Sequence, residues 1–401
     1  MIGSQFDVVV GPIAHGGHCV ARVDGQVVFV RHAIPGERVR IHITGESKRF
    51  LRGDAVEVLE ASPMRVVAPC VYAGICGGCD FQHVSLDGQR ELLGRVVREQ
   101  LQRLAGIEWD GEVEAATETG LGWRTRVTFA TTESGVLGLR KHRSHDVVEI
   151  DRCLIAHPGL PDVLAARWKA KSVEAIVSSA GETLVVVDEP RGALPKTKSG
   201  GVLISDGTKV RGKASVTEVV LDHEFRVSGS GFWQVHPAAA ATLVQAVLDG
   251  AEVIAGQTVV DLYAGVGLFT AFLADVAGET GTVYSVESDR GAARDARRNL
   301  HSYASVKLVD LPVDKALRQG ALGEQVDVVV LDPPRTGAGK TVPLIAGLQP
   351  SRIVYVACDP AALARDLADF ARHGYRLTDL RAFDLFPMTH HLECVAVLVR
   401  A

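Results

Sequence analysis

TVVDLYAGVGLFT, residues 258–270, decides the fold of the C-terminal half of the chain. An apolar strand ends at Asp261, and Gly265 and Gly267 open a loop that leads into a predicted helix, Leu268–Ala277. Glycines let a backbone approach a ligand closely, and the N-terminus of a helix favours a carboxylate or a phosphate. The segment therefore predicts a cofactor-binding loop at the edge of an α/β sheet.

Strands and helices alternate around this loop, from about residue 231 to the C-terminus. Helical stretches separate most of the predicted apolar strands, which span residues 258–261, 283–287, 326–331, 353–357 and 394–399. This alternation is typical of a doubly wound, largely parallel sheet, which is a Rossmann-like α/β fold. Ligands of such sheets bind beyond the carboxyl ends of the strands, so the residues at those ends are the candidates for function.

Two kinds of cofactor compete for the glycine loop. A dinucleotide prefers a third glycine for close helix packing, and Thr270 stands at that position. The carboxylate of Asp261 suits the sulfonium and amino groups of S-adenosylmethionine better than it suits a pyrophosphate. Glu287 ends the next strand, where a carboxylate can hold the ribose hydroxyls of either cofactor. The segment favours S-adenosylmethionine and leaves a dinucleotide as the alternative.

A further strand, VDVVVLDPPR at residues 326–335, delivers Asp332 to the same edge of the sheet. Pro333 and Pro334 stiffen the turn and fix the Asp332 carboxylate where cofactor and substrate meet. Methyltransferases that act on exocyclic amines carry an aromatic residue after the two prolines, which stacks on the base. Arg335 stands there instead, and this argues against methylation of an amine.

A cysteine ends the next strand, in IVYVACDP at residues 353–360. A small buried cysteine is the ordinary interpretation, but Cys358 stands at the strand end and Asp359-Pro360 breaks the strand directly after it. We expect the N-terminus of the helix predicted at 361–371 to lower the pKa of this thiol. Carbon 5 of uracil becomes nucleophilic only after a thiolate adds at carbon 6, so such a cysteine suits methylation of that carbon.

This chemistry also needs a base, because carbon 5 then carries both a methyl group and a hydrogen. The candidate is Glu393 in FPMTHHLEC, residues 386–394, at the start of the last apolar strand. A solvated acid at a strand start is the alternative interpretation. His390 and His391 show no compelling metal-ligand spacing, and we interpret them as positioning or structural residues.

The N-terminal sixty residues contain short strands with turn signals between them, and Asp24-Gly25 marks a tight hairpin. Their close spacing predicts a small OB-like β-barrel. A cysteine-rich stretch, a helix over 86–105 and several strand-like runs follow. We predict three domains, which are a β-barrel at 1–60, a central β-rich α+β domain at 61–230 and a methyltransferase domain at 231–401.

Cysteines cluster at the start of the central domain. Cys70, Cys76 and Cys79 form a C-x5-C-x2-C pattern, and Cys153 lies further along the chain. Four-cysteine zinc sites usually show two close pairs, whereas three ligands from one loop and a fourth from elsewhere suit a [4Fe–4S] cluster. The spacing favours iron–sulfur and leaves zinc as the alternative.

Composition limits the possible partners. The net charge of −5 gives no global positive field, yet residues 38–52 and 122–143 each carry five basic residues against one acid. Solvated strand faces are the alternative interpretation of these stretches. No apolar run is long enough to span a membrane, and no secretion signal opens the chain. We therefore expect a cytoplasmic protein with no membrane partner, and a monomer.

In this order, the motifs resemble those of the RNA 5-methyluridine methyltransferases, specifically the iron–sulfur-containing branch that acts on 23S rRNA. The resemblance covers essentially the full length of the chain. VGPIAHGG…GQVVFVRHAIPGERV resembles the TRAM barrel of that family, which is an RNA-binding module. The chain departs from the family pattern at Ala264, Leu268 and Met388, and Leu268 puts one polar cofactor contact in doubt.

The resemblance implies roles for individual residues. Cys358 in ACDPAALARDL carries the nucleophile role, and Glu393 in MTHHLE carries the base role. The positions that match the family's cofactor contacts are Gln234, Tyr263, Glu287 and Asp332. The positions that match its [4Fe–4S] ligands are Cys70, Cys76, Cys79 and Cys153.

The implied activity is transfer of a methyl group from S-adenosylmethionine to carbon 5 of a uridine in structured RNA, with 23S rRNA as the first candidate. The target uridine has to leave its stack to reach Cys358. A tRNA uridine methyltransferase is one alternative. A catalytically silent RNA-binding factor is another, and the presence of both Cys358 and Glu393 argues against it.

Overall fold

The N-terminal segment folds into a six-stranded sheet, with strand order β1-β5-β6-β4-β3-β2. Apolar side chains alternate along these strands and point inward, among them Val28, Val39 and Ile41. Gly11 N donates to Val20 O over 2.7 Å, which brings the end of β1 against β3 and closes the sheet on itself. The predicted barrel is confirmed. Its strands are β1 (Gln5–Val9), β2 (Ile13–Ala14), β3 (His18–Val23), β4 (Gln26–Arg31), β5 (Arg38–Glu46) and β6 (Phe50–Glu60).

The middle of the chain forms one helix and two further sheets. The helix α1 (Leu86–Ala105) begins where Ser85 Oγ accepts a hydrogen bond from Gly88 N, and it ends at Gly106, whose φ is 65°. The strands are β7 (Val113–Ala115), β8 (Arg126–Thr131), β9 (Leu137–Arg140), β10 (Val147–Glu149), β11 (Ser172–Val177), β12 (Thr183–Asp188), β13 (Gly201–Ile204), β14 (Lys209–Gly212), β15 (Ser215–Val220) and β16 (His223–Ser228). Strands β8 to β14 make a seven-stranded sheet, and β15 pairs with β16.

The C-terminal part is a sheet with helices on both faces, as the sequence predicted. Its eight strands follow the order β19-β18-β17-β20-β21-β23-β22-β7. Strand β7 comes from the middle of the chain, and the C-terminal part supplies the other seven. These are β17 (Thr258–Leu262), β18 (Thr282–Val286), β19 (Val306–Val309), β20 (Val328–Leu331), β21 (Arg352–Ala357), β22 (Tyr375–Asp384) and β23 (Glu393–Arg400). The helices are α2 (Ala239–Ala251), α3 (Leu268–Ala277), α4 (Arg290–Asn299), α5 (Val313–Arg318), α6 (Val342–Gly347) and α7 (Pro360–Arg372).

The five strands β17 to β21 run parallel to one another. Strand β23 runs antiparallel to both β21 and β22. The computed structural model that gives this fold describes residues 1–323 and 325–401. Within these residues, no helix is both long enough and apolar enough to cross a lipid bilayer.

Two elements of the segment 61–230 pack with the C-terminal sheet. Helix α1 packs against α7, and β7 pairs with β22 at the edge of the eight-stranded sheet. The buried apolar face of α1, which includes Leu92, Leu93 and Val97, explains this position, since α7 offers a matching apolar surface. Packing between segments therefore crosses the domain boundaries that the sequence predicted at residues 60 and 230. These domain boundaries remain a prediction.

Side chains along the central strands alternate between two cores. On β21, Ile353 and Tyr355 face the core beneath α1 and α7, whereas Val354 and Val356 face the core beneath α2 and α3. Because side chains alternate with a period of two, the residue that follows a strand continues this alternation. The alternation therefore fixes which face of the sheet each strand-end residue approaches.

Candidate active site

Four functional side chains share the face of the sheet that α2 and α3 cover. Asp261 lies on β17, Asp332 and Cys358 directly follow β20 and β21, and Glu393 begins β23. Each continues the set of alternate positions that faces α2 and α3. The strand order places β17, β20, β21 and β23 side by side, so the four side chains come to one edge of the sheet.

The nucleophile candidate and the base candidate meet through the pairing of β21 with β23. Ala357 pairs with Cys394 in this antiparallel ladder, which brings Cys358 and Glu393 together. Asp359 then begins α7, and its Oδ1 accepts a hydrogen bond from Ala362 N over 2.8 Å. Cys358 therefore occupies a single-residue bend between a fixed strand and a fixed helix.

Burial dominates the electrostatics of this pair. Glu393 is only 6% exposed, and its Oε2 has no hydrogen-bond partner among the described residues. Burial, with a smaller contribution from Asp332, raises the pKa of Glu393 well above its usual range, while Arg335 lowers it. Burial also raises the pKa of the Cys358 thiol to about 12, helped by Glu393 and Asp332 and opposed by Arg335.

The expectation that α7 lowers the pKa of the Cys358 thiol is wrong for this form of the protein. Burial and the neighbouring carboxylates outweigh the helix N-terminus, because an uncompensated negative charge is unfavourable in a poorly solvated site. Near neutral pH the Cys358 side chain is therefore mainly in the protonated thiol form.

The two strand-end aspartates form a buried acidic pair. Burial, with a contribution from Asp261, raises the pKa of Asp332 to about 7. Burial likewise raises the pKa of Asp261 to about 7, although Thr270 Oγ1 donates to its Oδ2 over 2.6 Å. Asp261 Oδ1 is buried without a hydrogen-bond partner in the described part of the chain. A positively charged ligand would relieve both groups.

The glycine loop lies next to these acids. Gly265 N donates to Glu287 Oε2 over 2.9 Å, so Glu287 joins the loop to the end of β18. A side chain at Gly267, where φ is 91°, would put its Cβ 2.7 Å from Leu300 Cδ1, which explains the glycine. Tyr263 also has a positive φ, of 64°, and its Oη lies 3.5 Å from Thr341 Oγ1.

Gln234 lies in the segment between β16 and α2 and is buried. The next residue, Val235, accepts hydrogen bonds through its carbonyl from Thr125 N over 2.8 Å and from Thr125 Oγ1 over 3.0 Å. Within the residues that the structure describes, no hydrogen bond joins Gln234 to the strand-end acids. The structure thus brings Cys358, Glu393, Asp332 and the glycine loop together, while Gln234 sits on the neighbouring segment.

The loop before Glu393 is held by the cysteine-rich segment. Asp80 N and Phe81 N both donate to Met388 O, over 2.8 and 3.0 Å. Asp80 Oδ2 lies 2.6 Å from His390 Nδ1 and also accepts from His390 N over 3.2 Å. These contacts fix the backbone that leads into the base candidate.

The four predicted cysteine ligands line one cavity of about 540 Å³. All seven cysteines of the chain are free of disulfide bonds. Burial is the largest cause of a raised pKa at three of these thiols, which are Cys76, Cys79 and Cys153. Within residues 1–323 and 325–401, no group of three His, Cys, Asp or Glu side chains is arranged to hold a single metal ion.

Comparison with known proteins identifies the family. Residues 1–56 match the TRAM domain, and residues 318–401 match the tRNA (uracil-5-)-methyltransferase domain. An uncharacterized RNA methyltransferase of Streptomyces avermitilis is 48% identical, over 99% of this chain and 98% of that protein. The chain belongs to the RNA uracil-C5 methyltransferase family.

Two relatives of this methyltransferase are named for different RNA substrates. The 23S rRNA (uracil(1939)-C(5))-methyltransferase RlmD of Alkalilimnicola ehrlichii is 32% identical over 98% of this chain and 96% of that protein. The crystal structure of the Pyrococcus abyssi tRNA (uracil-54, C5)-methyltransferase, in complex with S-adenosyl-L-homocysteine, superposes with a TM-score of 0.74. It is 25% identical and covers 98% of this chain and 99% of that chain.

Sequence reasoning missed three residues near the methyltransferase site. Asp80 holds His390, His15 contacts Asp359, and the partly buried Arg124 lines the cysteine cavity. Arg124 lay within a basic stretch that the sequence did mark. Nothing local distinguishes Asp80 or His15, because each acts on a residue several hundred positions away.

The raised pKa of Cys358 gives a test on the free methyltransferase. At a given pH the thiolate fraction falls as the thiol pKa rises, and the thiolate is the form that reacts. We expect Cys358 to react with iodoacetamide at pH 8 at least about tenfold more slowly than a thiol of ordinary pKa. Mass spectrometry of the Cys358 peptide gives the rate, which should keep rising with pH above 9.

Arg335→Ala tests the same electrostatic cause in the opposite direction. The Arg335 guanidinium lowers the pKa of the Cys358 thiol, so its removal should raise that pKa further. Alkylation of the variant should be slower still at pH 8. A rate that levels off below pH 8 would contradict the raised pKa.

Proposed function

We propose that this methyltransferase transfers a methyl group from S-adenosylmethionine to carbon 5 of a uridine in structured RNA. The observation that carries the proposal is the meeting of Cys358 and Glu393 at the ends of paired strands, beside the acids Asp261 and Asp332. A nucleophile and a base at one point, next to a pair of buried acids that suit a positively charged methyl donor, match the three requirements of uracil-C5 methylation.

The residues fit S-adenosylmethionine as cofactor. When bound, it supplies an electrophilic methyl group on a positively charged sulfur. Burial raises the pKa values of Asp332 and Asp261, and one oxygen of Asp261 is buried without a hydrogen-bond partner among the described residues, so a positive charge beside them would be stabilised. We propose that the cofactor is held by Gln234, Tyr263, Glu287 and Asp332.

In the proposed reaction, the Cys358 thiol, which is only partly buried, first gives its proton to solvent water, and a positive charge beside Asp332 would make this transfer easier. Cys358 Sγ then forms a bond to carbon 6 of the uracil. The electron pair of the C5–C6 double bond moves away from carbon 6 and makes carbon 5 nucleophilic. Carbon 5 bonds to the methyl carbon, whose former bonding pair stays on the sulfur.

Glu393 completes the reaction. Its raised pKa makes the ionised carboxylate a stronger base than an ordinary glutamate. The carboxylate takes the hydrogen of carbon 5 as a proton, and the electrons of that C–H bond restore the C5–C6 double bond. The Cys358–carbon 6 bond breaks at the same time, and the thiolate leaves.

A surface of cations and aromatic rings supports RNA as the partner. Arg31, Arg52 and Arg143 come from three separate segments of the chain. Burial is the largest cause of the lowered pKa of Arg143, and the charges of Arg52 and Arg31 lower it further, so the three side chains lie near one another. The Arg52 guanidinium lies 4.7 Å from the centre of the Phe50 ring, and the Phe29 ring lies 5.2 Å from Phe50. Clustered guanidinium groups attract phosphates, and partly exposed rings such as Phe29 and Phe50 can stack on unpaired bases.

We propose 23S rRNA as the substrate class, since the rRNA-modifying relative is 32% identical over nearly the whole chain. A tRNA is the second candidate, because the structure of the Pyrococcus abyssi tRNA enzyme superposes over 98% of this chain. Methylation assays with the two RNAs distinguish these candidates.

We also propose that Cys70, Cys76, Cys79 and Cys153 hold a [4Fe–4S] cluster. All four thiols line one cavity, and the partly buried Arg124 lies near Cys153 and Cys79, where it would compensate negative charge. Sulfur ligands around one tetrahedral zinc ion lie about 3.8 Å apart, at Zn–S bonds of about 2.3 Å, whereas a cube of four irons holds its ligands further apart. A cluster here would join the cysteine loop to the segment around Cys153.

The reaction predicts opposite outcomes for two substitutions. Cys358→Ala should abolish formation of 5-methyluridine, because no bond to carbon 6 can form. Glu393→Gln should instead accumulate a covalent protein–RNA complex, because carbon 5 keeps its proton. Mass spectrometry of digested RNA and denaturing gels measure the two outcomes on 23S rRNA fragments and on tRNA transcripts.

Glu279→Gln, at an exposed position, serves as the control and should behave like the wild type. Methylation by Cys358→Ala would contradict the mechanism. A wild-type protein that binds both RNAs but methylates neither would favour the silent RNA-binding factor.

The cationic surface predicts a change in the salt dependence of RNA binding. Arg52→Ala and Arg143→Ala should each weaken binding and reduce the slope of log K against log salt by about 1. Filter binding over a series of salt concentrations measures both effects. Arg372→Ala, which removes an exposed cation paired with Asp369 on α7, should leave the slope unchanged.

Metal analysis tests the cysteine site. Protein purified without oxygen should contain about four irons and four acid-labile sulfides per chain. Cys76→Ser should lose most of both, whereas Cys19→Ala in the barrel core should retain them. One zinc ion per chain and no iron would contradict the cluster.

A further inference from the structure

A turn of the N-terminal barrel reaches the residue next to the nucleophile. The turn joins β2 to β3, and Gly17 N donates to Ala14 O over 3.1 Å to close it. Gly16 and Gly17 have φ angles of 92° and 79°, which only glycine adopts without strain. His15, at the tip of this turn, places its Nε2 3.0 Å from Asp359 Oδ2.

Asp359 uses its two carboxylate oxygens for different tasks. Oδ1 accepts the hydrogen bond from Ala362 N that begins α7, and Oδ2 faces His15. Cys358 precedes Asp359 directly and belongs to neither β21 nor α7. The position of its Sγ therefore depends on how firmly Asp359 is held.

The same turn also packs against the loop of the base candidate. A Cβ atom on Gly17 would lie 2.8 Å from His390 Cβ and 3.4 Å from the ring of Phe81. His390 is fixed in turn by Asp80, at 2.6 Å. One turn of the barrel thus contacts both the nucleophile side and the base side of the site.

We propose that His15 is a positioning residue for methyl transfer, which holds Asp359 and thereby sets Cys358 at the distance and angle needed to attack carbon 6. This inference rests on the proposed function. It makes the N-terminal barrel a component of the active site as well as an RNA-binding module. RNA bound to the barrel is then aligned with the nucleophile through a direct contact between the two domains.

The geometry favours positioning over a simple contact with RNA. His15 is 41% exposed at its side chain, but its Nε2 is directed at a carboxylate that is 21% exposed and already fixed to α7. Burial raises the pKa of Asp359, while the hydrogen bonds from His15 and Ala362 N lower it, and the lowering prevails. The carboxylate is therefore ionised and available to the imidazole.

The test separates the position of the nucleophile from the binding of RNA. The substrate is the transcript that the wild-type enzyme methylates, with 5-fluorouridine in place of uridine, at a saturating concentration and with S-adenosylmethionine. Displacing a reacting group by a fraction of an ångström slows reactions strongly, so His15→Ala should lower the rate of covalent complex formation by about tenfold or more. The dissociation constant of the RNA, measured by filter binding, should change less than about twofold.

Two further variants show whether the contact with Asp359 is responsible. His15→Gln retains a side-chain N–H donor and should recover most of the rate. The double variant His15→Ala/Asp359→Asn should be no slower than the slower of its two single variants, because both remove the same contact. His373→Ala is the matched control, since His373 is 37% exposed and lies 3.8 Å from Asp369 at the other end of α7. It should behave like the wild type.

Several results would overturn the proposal. These are an unchanged rate in His15→Ala, a loss confined to RNA affinity, additive effects in the double variant, or a His15→Gln variant as slow as His15→Ala. A wild-type protein that forms no 5-methyluridine on any RNA tested would refute the proposed function instead. The two failures are therefore distinguishable.

Discussion

The pairing of β21 with β23 is the constraint on which the site depends. The antiparallel register sets Ala357 opposite Cys394, so the partly buried Cys358 and the buried Glu393 come together at the adjoining strand ends. A shift of one residue would turn Glu393 to the opposite face of the sheet, away from α2 and α3. Long apolar strands with two buried faces make such a shift unfavourable, since it would also exchange the side chains of both cores.

Burial gives this point its chemical character. Few groups nearby compensate negative charge, so the pKa values of Glu393, Cys358, Asp332 and Asp261 are all raised. The site is therefore poorly suited to hold several anions by itself and well suited to a cationic ligand. A raised pKa also protects the Cys358 thiol from side reactions, since the thiolate is the reactive form.

The parts of the chain that precede the eight-stranded sheet support its active edge directly. The cysteine loop holds the backbone before Glu393 through Asp80, and the barrel turn contacts Asp359 through His15. Helix α1 and strand β7 pack into the methyltransferase sheet itself. Short contacts between segments therefore join the barrel, the cysteine loop and the eight-stranded sheet at this edge.

The sequence by itself determined the doubly wound fold, the barrel, helices α1 and α3, and the strand-end residues Asp332, Cys358 and Glu393. These features follow from periodicity, helix ends and strand ends, which depend on residues close together in the chain. Only the tertiary structure decided the raised pKa of the Cys358 thiol, the contact of His15 with Asp359 and that of Asp80 with His390. Each depends on how separate sheets pack together, and no local pattern records the depth of burial or the neighbours that docking brings.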